Sequence, residues 1–173
     1  MKKYLIGLVG ALMHTGNIVA QEIPKGATTL RAELGQGFTR PRGGPELYLA
    51  TLQFALEKTI VPEQLRAGLV AGAFHPGRLL GGFAGGRATL KVFQLPSLLL
   101  AKAGHVQVLA EYLPLVYVPS NHWRQWVGVG IGVETSNLLG IALKFHRDTR
   151  TPTTYGQVAL TYNLLHKSPP QDL

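Results

Sequence analysis

Val127-Gly128-Val129-Gly130-Ile131-Gly132-Val133-Glu134, followed after a short break by Leu139-Gly140-Ile141-Ala142-Leu143-Lys144-Phe145-His146, is the stretch that decides the fold. Large apolar residues occupy every second position in both halves, and only small or ionisable residues stand between them. A period of two puts alternate side chains on opposite faces of a strand, whereas a helix needs a period of about 3.6. Thr135-Ser136-Asn137 between the halves supplies the polar residues of a tight hairpin connection.

The same rhythm continues in both directions. Downstream, Val158, Leu160, Tyr162 and Leu164 alternate with Gln157, Ala159, Thr161 and Asn163. Upstream, Val106, Val108, Ala110 and Tyr112 alternate with Gln107, Leu109 and Glu111, and the pattern recurs over 83–93, 65–74, 47–57 and 28–38. Eight strands are expected, each close to the length of about 9–11 residues that a tilted strand needs to cross a bilayer. Pro, Gly, Ser and Asn fill the segments between them. Leu95–Gly104 is the exception, since its three consecutive leucines point to a short helix or an interfacial anchor.

Alternation alone does not say which face is inside. The polar face carries Arg31, Glu33, Glu57, Arg66, Arg87, Lys91, Glu111, Glu134, Lys144 and His146 among many Gly and Ala, while the apolar face is almost without charge. Glycine weakens a strand, so a solvated outer face would seldom use so much of it. A narrow lumen needs small residues beside long charged ones, and ions held there need partners of both signs. The expected fold is therefore all-β: an eight-stranded antiparallel up-and-down transmembrane β-barrel with a polar-filled lumen, apolar outside. The alternative with the faces reversed is a secreted, soluble, lipocalin-like binding barrel. Tyr48, Tyr112, Tyr117, Trp123, Trp126, Phe145 and Tyr155 cluster near one set of strand ends, as an aromatic girdle requires.

Composition agrees. The 173 residues are 46% hydrophobic and 15% charged, with 21 Gly and no Cys. The apolar content excludes disorder, and the missing Cys excludes disulfides, Cys-ligated metal sites and a lipid-bearing cysteine. Lys2-Lys3, the apolar run Tyr4–Met13 and the small Ala20 before Gln21 read as a signal peptide over 1–20. The barrel is expected over 21–165, with a short tail over 166–173. Losing Lys2 and Lys3 lowers the net charge from +8 to +6, and export argues against nucleic acid as a partner.

These features together resemble the small outer-membrane β-barrel proteins of the OmpA/OmpX kind, and the Ala20-Gln21 junction resembles exported proteins of Bacteroidota. The resemblance implies the outer membrane of a Gram-negative cell, with both chain ends periplasmic. It implies architecture rather than activity, and many relatives end on an aromatic residue where this strand ends on Leu164-Leu165. With that orientation the outward connections are basic, carrying Arg40, Arg42, Arg78, Arg124, Arg147 and Arg150. Arginine binds phosphate bidentately, so lipopolysaccharide is an expected contact. A larger envelope complex, with this chain as accessory subunit, is the other expected partner. Ser120 and His122 are the only catalytic candidates, by analogy with lipid A-modifying barrel enzymes, and sequence adjacency does not give nucleophile–base geometry. No catalysis, cofactor, metal or conducting pore is expected.

Overall fold

The computed structural model describes residues 26–41, 46–62, 64–76, 80–95, 104–117, 123–135 and 139–167. They form β1 (Thr28–Pro41), β2 (Leu47–Val61), β3 (Leu65–Pro76), β4 (Gly81–Leu95), β5 (Gly104–Tyr117), β6 (Trp123–Thr135), β7 (Leu139–Asp148) and β8 (Thr153–Lys167). Each strand pairs antiparallel with the next, and β1 closes on β8, giving a barrel with no free edge. Closure satisfies the backbone N–H and C=O groups of every strand within the sheet, as a hydrocarbon surrounding requires. The expected signal segment 1–20, the leucines of 98–100 and the residues after Lys167 lie outside the described residues.

The faces are as their chemistry demands. Val127, Val129 and Ile131 of β6 point outward beside Ile141, Leu143 and Phe145 of β7, and Gly128, Glu134, Lys144 and His146 point into the lumen. Register carries this through the sheet: Val129 lies between Ala110 and Phe145 on the outside, and Gly130 between Leu109 and Lys144 on the inside. Around the rest of the barrel Leu34, Leu52, Phe54, Leu56, Leu69, Leu90, Val108, Val158 and Leu160 are also exposed.

Two expectations change. The alternation in β4 breaks at a bulge between Lys91 and Phe93, where Lys91 pairs with Gln107 and Phe93 with Val106. The extra residue turns Phe93 outward beside Val92, although strict alternation would put it in the lumen. The aromatic girdle also loses two members. Trp126 and Tyr155 are buried inside the barrel with Phe74 and Phe83. Trp126 shares the even-numbered row of Gly128 and Glu134, and parity along the strand overrides the proximity of a strand end.

The lumen is filled in layers. The end with the β1 start and β8 finish is the near end, and the connections after β1, β3, β5 and β7 lie at the far end. Trp126 centres the far-end layer, with ring centroids 4.8 Å from Phe74, 4.2 Å from Tyr155 and 6.4 Å from Phe83. Glycine makes room for the largest groups: a Cβ at Gly128 would run into the imidazole of His146, and one at Gly81 into the ring of Phe74. We expect Gly128→Val to lower unfolding stability by about 1–3 kcal/mol through overpacking. Urea titration of the folded barrel in detergent micelles reads this, and an unchanged midpoint would contradict the layer.

Candidate functional site

Two ionic layers lie between the far-end aromatics and the near end. The middle layer gathers Glu33 of β1, Gln53 of β2, Arg87 of β4, Glu111 of β5, and Lys144 and His146 of β7. Arg87 is its hub. Its Nη1 and Nη2 donate to the two oxygens of Glu33, and its Nε donates to Glu111 Oε1 at 2.7 Å. Lys144 donates to both carboxylates, reaching Glu111 at 3.2 Å, while His146 Nε2 lies 2.6 Å from Glu111 Oε2. The Gln53 amide donates to Glu33.

The near-end layer centres on Glu134 of β6. Arg31 Nη2 donates to its two oxygens at 3.2 and 3.1 Å, Arg66 Nη2 donates at 2.6 Å, and the Asn163 amide donates at 2.5 Å. Glu57 stands 3.6 Å from Arg31 and 4.0 Å from Arg66, and accepts a 2.7 Å bond from the Thr89 hydroxyl. Arg66 also donates to Gln107 at 2.8 Å.

Within the two layers the buried cations Arg31, Arg66, Arg87 and Lys144 match the buried carboxylates Glu33, Glu57, Glu111 and Glu134 in number, and the remaining buried carboxylate among the described residues, Asp148, faces Arg124 at the far rim. Buried ions survive only when paired and hydrogen-bonded, so the two layers are mutually dependent structure. The lumen residues named from the sequence thus lie in these layers, with Lys91 half-buried opposite Gln107. Gln53, Thr89, Gln107 and Asn163 complete the bonding, and their residue types alone mark them only as polar. Their shared parity with the charged residues was the available signal. Among the described residues no three His, Asp or Glu side chains converge as a metal site.

The far-end rim separates its arginines. Arg124 belongs to β6; it lies 2.5 Å from the buried carboxylate of Asp148 and donates to the Thr151 hydroxyl. Asp148 also accepts from the backbone N–H groups of Arg150 and Thr151 at 2.8 and 3.2 Å, which shapes the β7–β8 turn. Arg40 of β1 and Arg147 of β7 point outward and are exposed, as is Arg150 in the turn. Arg42, Arg78, Ser120 and His122 lie outside the described residues.

No family model matches the sequence, and no curated protein matches it. Among solved structures, a barrel from the de novo design of transmembrane β-barrels aligns at TM-score 0.50 and 16% identity, over 83% of this chain and 100% of its own. Neisserial surface protein A aligns at TM-score 0.49 and 8% identity, over 81% of this chain and 100% of its own. The likeness to the designed transmembrane β-barrel is one of fold.

Proposed function

We propose that this chain is an integral outer-membrane β-barrel acting by structure and contact rather than catalysis, with lipopolysaccharide at its basic far rim or a larger envelope complex as the partner. One observation carries the reading: between the two rims the exposed outer face is apolar on all eight strands, while the ions at those levels are turned inward and paired. A soluble lipocalin-like barrel needs the opposite, an apolar interior for its ligand and a polar coat for water. A lumen occupied by Arg87, Glu111, Lys144 and Trp126 also opposes a conducting pore.

Val129, at the middle of β6 and 60% exposed, tests the reading directly. In a bilayer Val129→Arg is expected to cost about 2–4 kcal/mol, the usual penalty for a lipid-facing cation near mid-depth. In a soluble barrel the same change would be close to neutral. Urea unfolding in phospholipid vesicles distinguishes the two, and a neutral result would sink the membrane reading. Envelope fractionation with heated and unheated gel samples should place an unboiled, faster-migrating form in the outer membrane. Co-purification from native membranes then separates a solitary, lipid-contacting barrel from a subunit with stoichiometric partners.

A further inference from the structure

Barrel closure brings two distant arginines onto one outward row. Arg40 of β1 pairs with Thr154 of β8, and Thr154 pairs with Arg147 of β7, whose other neighbour is Val127 of β6. All four side chains point outward and are exposed. Arg40 and Arg147 stand two strand spacings apart, about 10 Å, with the Thr154 hydroxyl between them. Arg150 lies just beyond in the β7–β8 turn, where Val127, Arg147 and residues 148–152 line an open hollow of about 520 Å³.

The row immediately below is aromatic. Phe38 and Phe145 both pair with Gly156, and their rings lean over the space that a side chain there would fill. Next come Gln36, Val158 and Leu143, then Leu34, Leu160 and Ile141. The cations therefore sit at the upper margin of an apolar wall, with an aromatic shelf between.

The other rim charges are differently placed. Arg124 is turned to the lumen side and held by Asp148. Arg40 has an exposed carboxylate neighbour, Glu46, 3.9 Å from its Nε. Such a pair is weak and screened, and it leaves the terminal guanidinium nitrogens available.

We propose that Arg40, Arg147, Arg150 and Thr154 form a clasp for the phosphate of a membrane glycolipid, whose acyl chains lie over Phe38 and Phe145. Two arginines flanking Thr154 on one exposed row suit a dianionic phosphomonoester, which accepts bidentate charge-assisted bonds. The apolar rows beneath fix the source as a lipid, since a soluble phosphate would gain nothing from them. The clasp rests on the outer-membrane reading above and names the ligand chemistry of its rim.

The test uses the full chain purified in detergent micelles, with diphosphoryl lipid A, fully dephosphorylated lipid A and inorganic phosphate as probes. Diphosphoryl lipid A should bind, and Arg40→Ser with Arg147→Ser should weaken it about tenfold or more, as loss of charged hydrogen bonds predicts. Each single variant should lose part of that. Lys58→Ser, an exposed outward lysine at the near end, should bind as the unaltered chain does. Undiminished binding in the double variant overturns the clasp, as does equal binding of the dephosphorylated lipid. Displacement by millimolar inorganic phosphate also overturns it, because the site would then be one for soluble anions. The heated–unheated gel shift is read on the same samples. A chain with no shift overturns the membrane reading and the clasp together, whereas a shift with phosphate-blind binding overturns the clasp alone.

Discussion

Arg87→Met is expected to destabilise the folded barrel by about 3–5 kcal/mol, the cost of leaving buried charge without its partner. Arg87 holds both Glu33 and Glu111, and without it Lys144 is the one strong cation left between two carboxylates that water cannot reach. The methionine fills much of the same volume, so the loss reports charge rather than a cavity. A companion variant sharpens the result. Combining Arg87→Met with Glu111→Gln removes one of the stranded charges, so the pair should cost clearly less than the sum of the two single changes. Urea unfolding in micelles, followed by tryptophan fluorescence, measures all three. Additive losses, or a single-variant loss below about 1 kcal/mol, the range of an exposed pair, would show that Arg87 is solvated and that no ionic layer exists.

Trp126→Ala is the second large effect, at about 3–5 kcal/mol for deleting a buried tryptophan. Trp126 contacts Phe74, Phe83, His146 and Tyr155, so its removal leaves a void touching four side chains on four other strands. Trp126→Phe keeps most of the volume and should cost much less. Conductance separates two ideas about the same ring. If the aromatic layer alone sealed the barrel, the alanine variant would pass ions in planar bilayers. The ionic layers below it close the lumen independently, so both the unaltered chain and the alanine variant should remain silent. Stable channels from the alanine variant would show that the charged layers are permeable.

Much of this architecture is legible in single residues. Gly128, Gly130 and Gly132 opposite Val127, Val129 and Ile131 tell both that the segment is a strand and that its inner side is crowded. The inward direction follows from Arg31, Glu33, Arg87 and Glu134, because lipid tolerates none of them. Parity places Trp126 in the lumen beside Gly128 and Glu134, where its nearness to a strand end points instead to the girdle. The bulge in β4 leaves only a faint signal, the adjacent apolar pair Val92-Phe93 where alternation calls for one, and the pairing with Gln107 and Val106 locates the extra residue. The meeting of Arg40 and Arg147 was hidden for another reason. It depends on the register of β1 and β7 against β8, a property of closure that no local pattern encodes. Loop position alone also grouped Arg124 with them, whereas its strand face assigns it to Asp148.

The ion pairs that span the lumen constrain how the sheet can come together. Lys144 of β7 reaches Glu33 of β1, and Arg31 of β1 reaches Glu134 of β6, so neither β1 ion has its full set of partners until the last seam is made. A hairpin entering hydrocarbon alone would carry naked charge, which costs several kcal/mol per ion. The inner face must therefore stay wet while the sheet curls, and drying and seam closure become one step. The sequence that makes the finished cylinder durable also forbids its being assembled strand by strand in lipid.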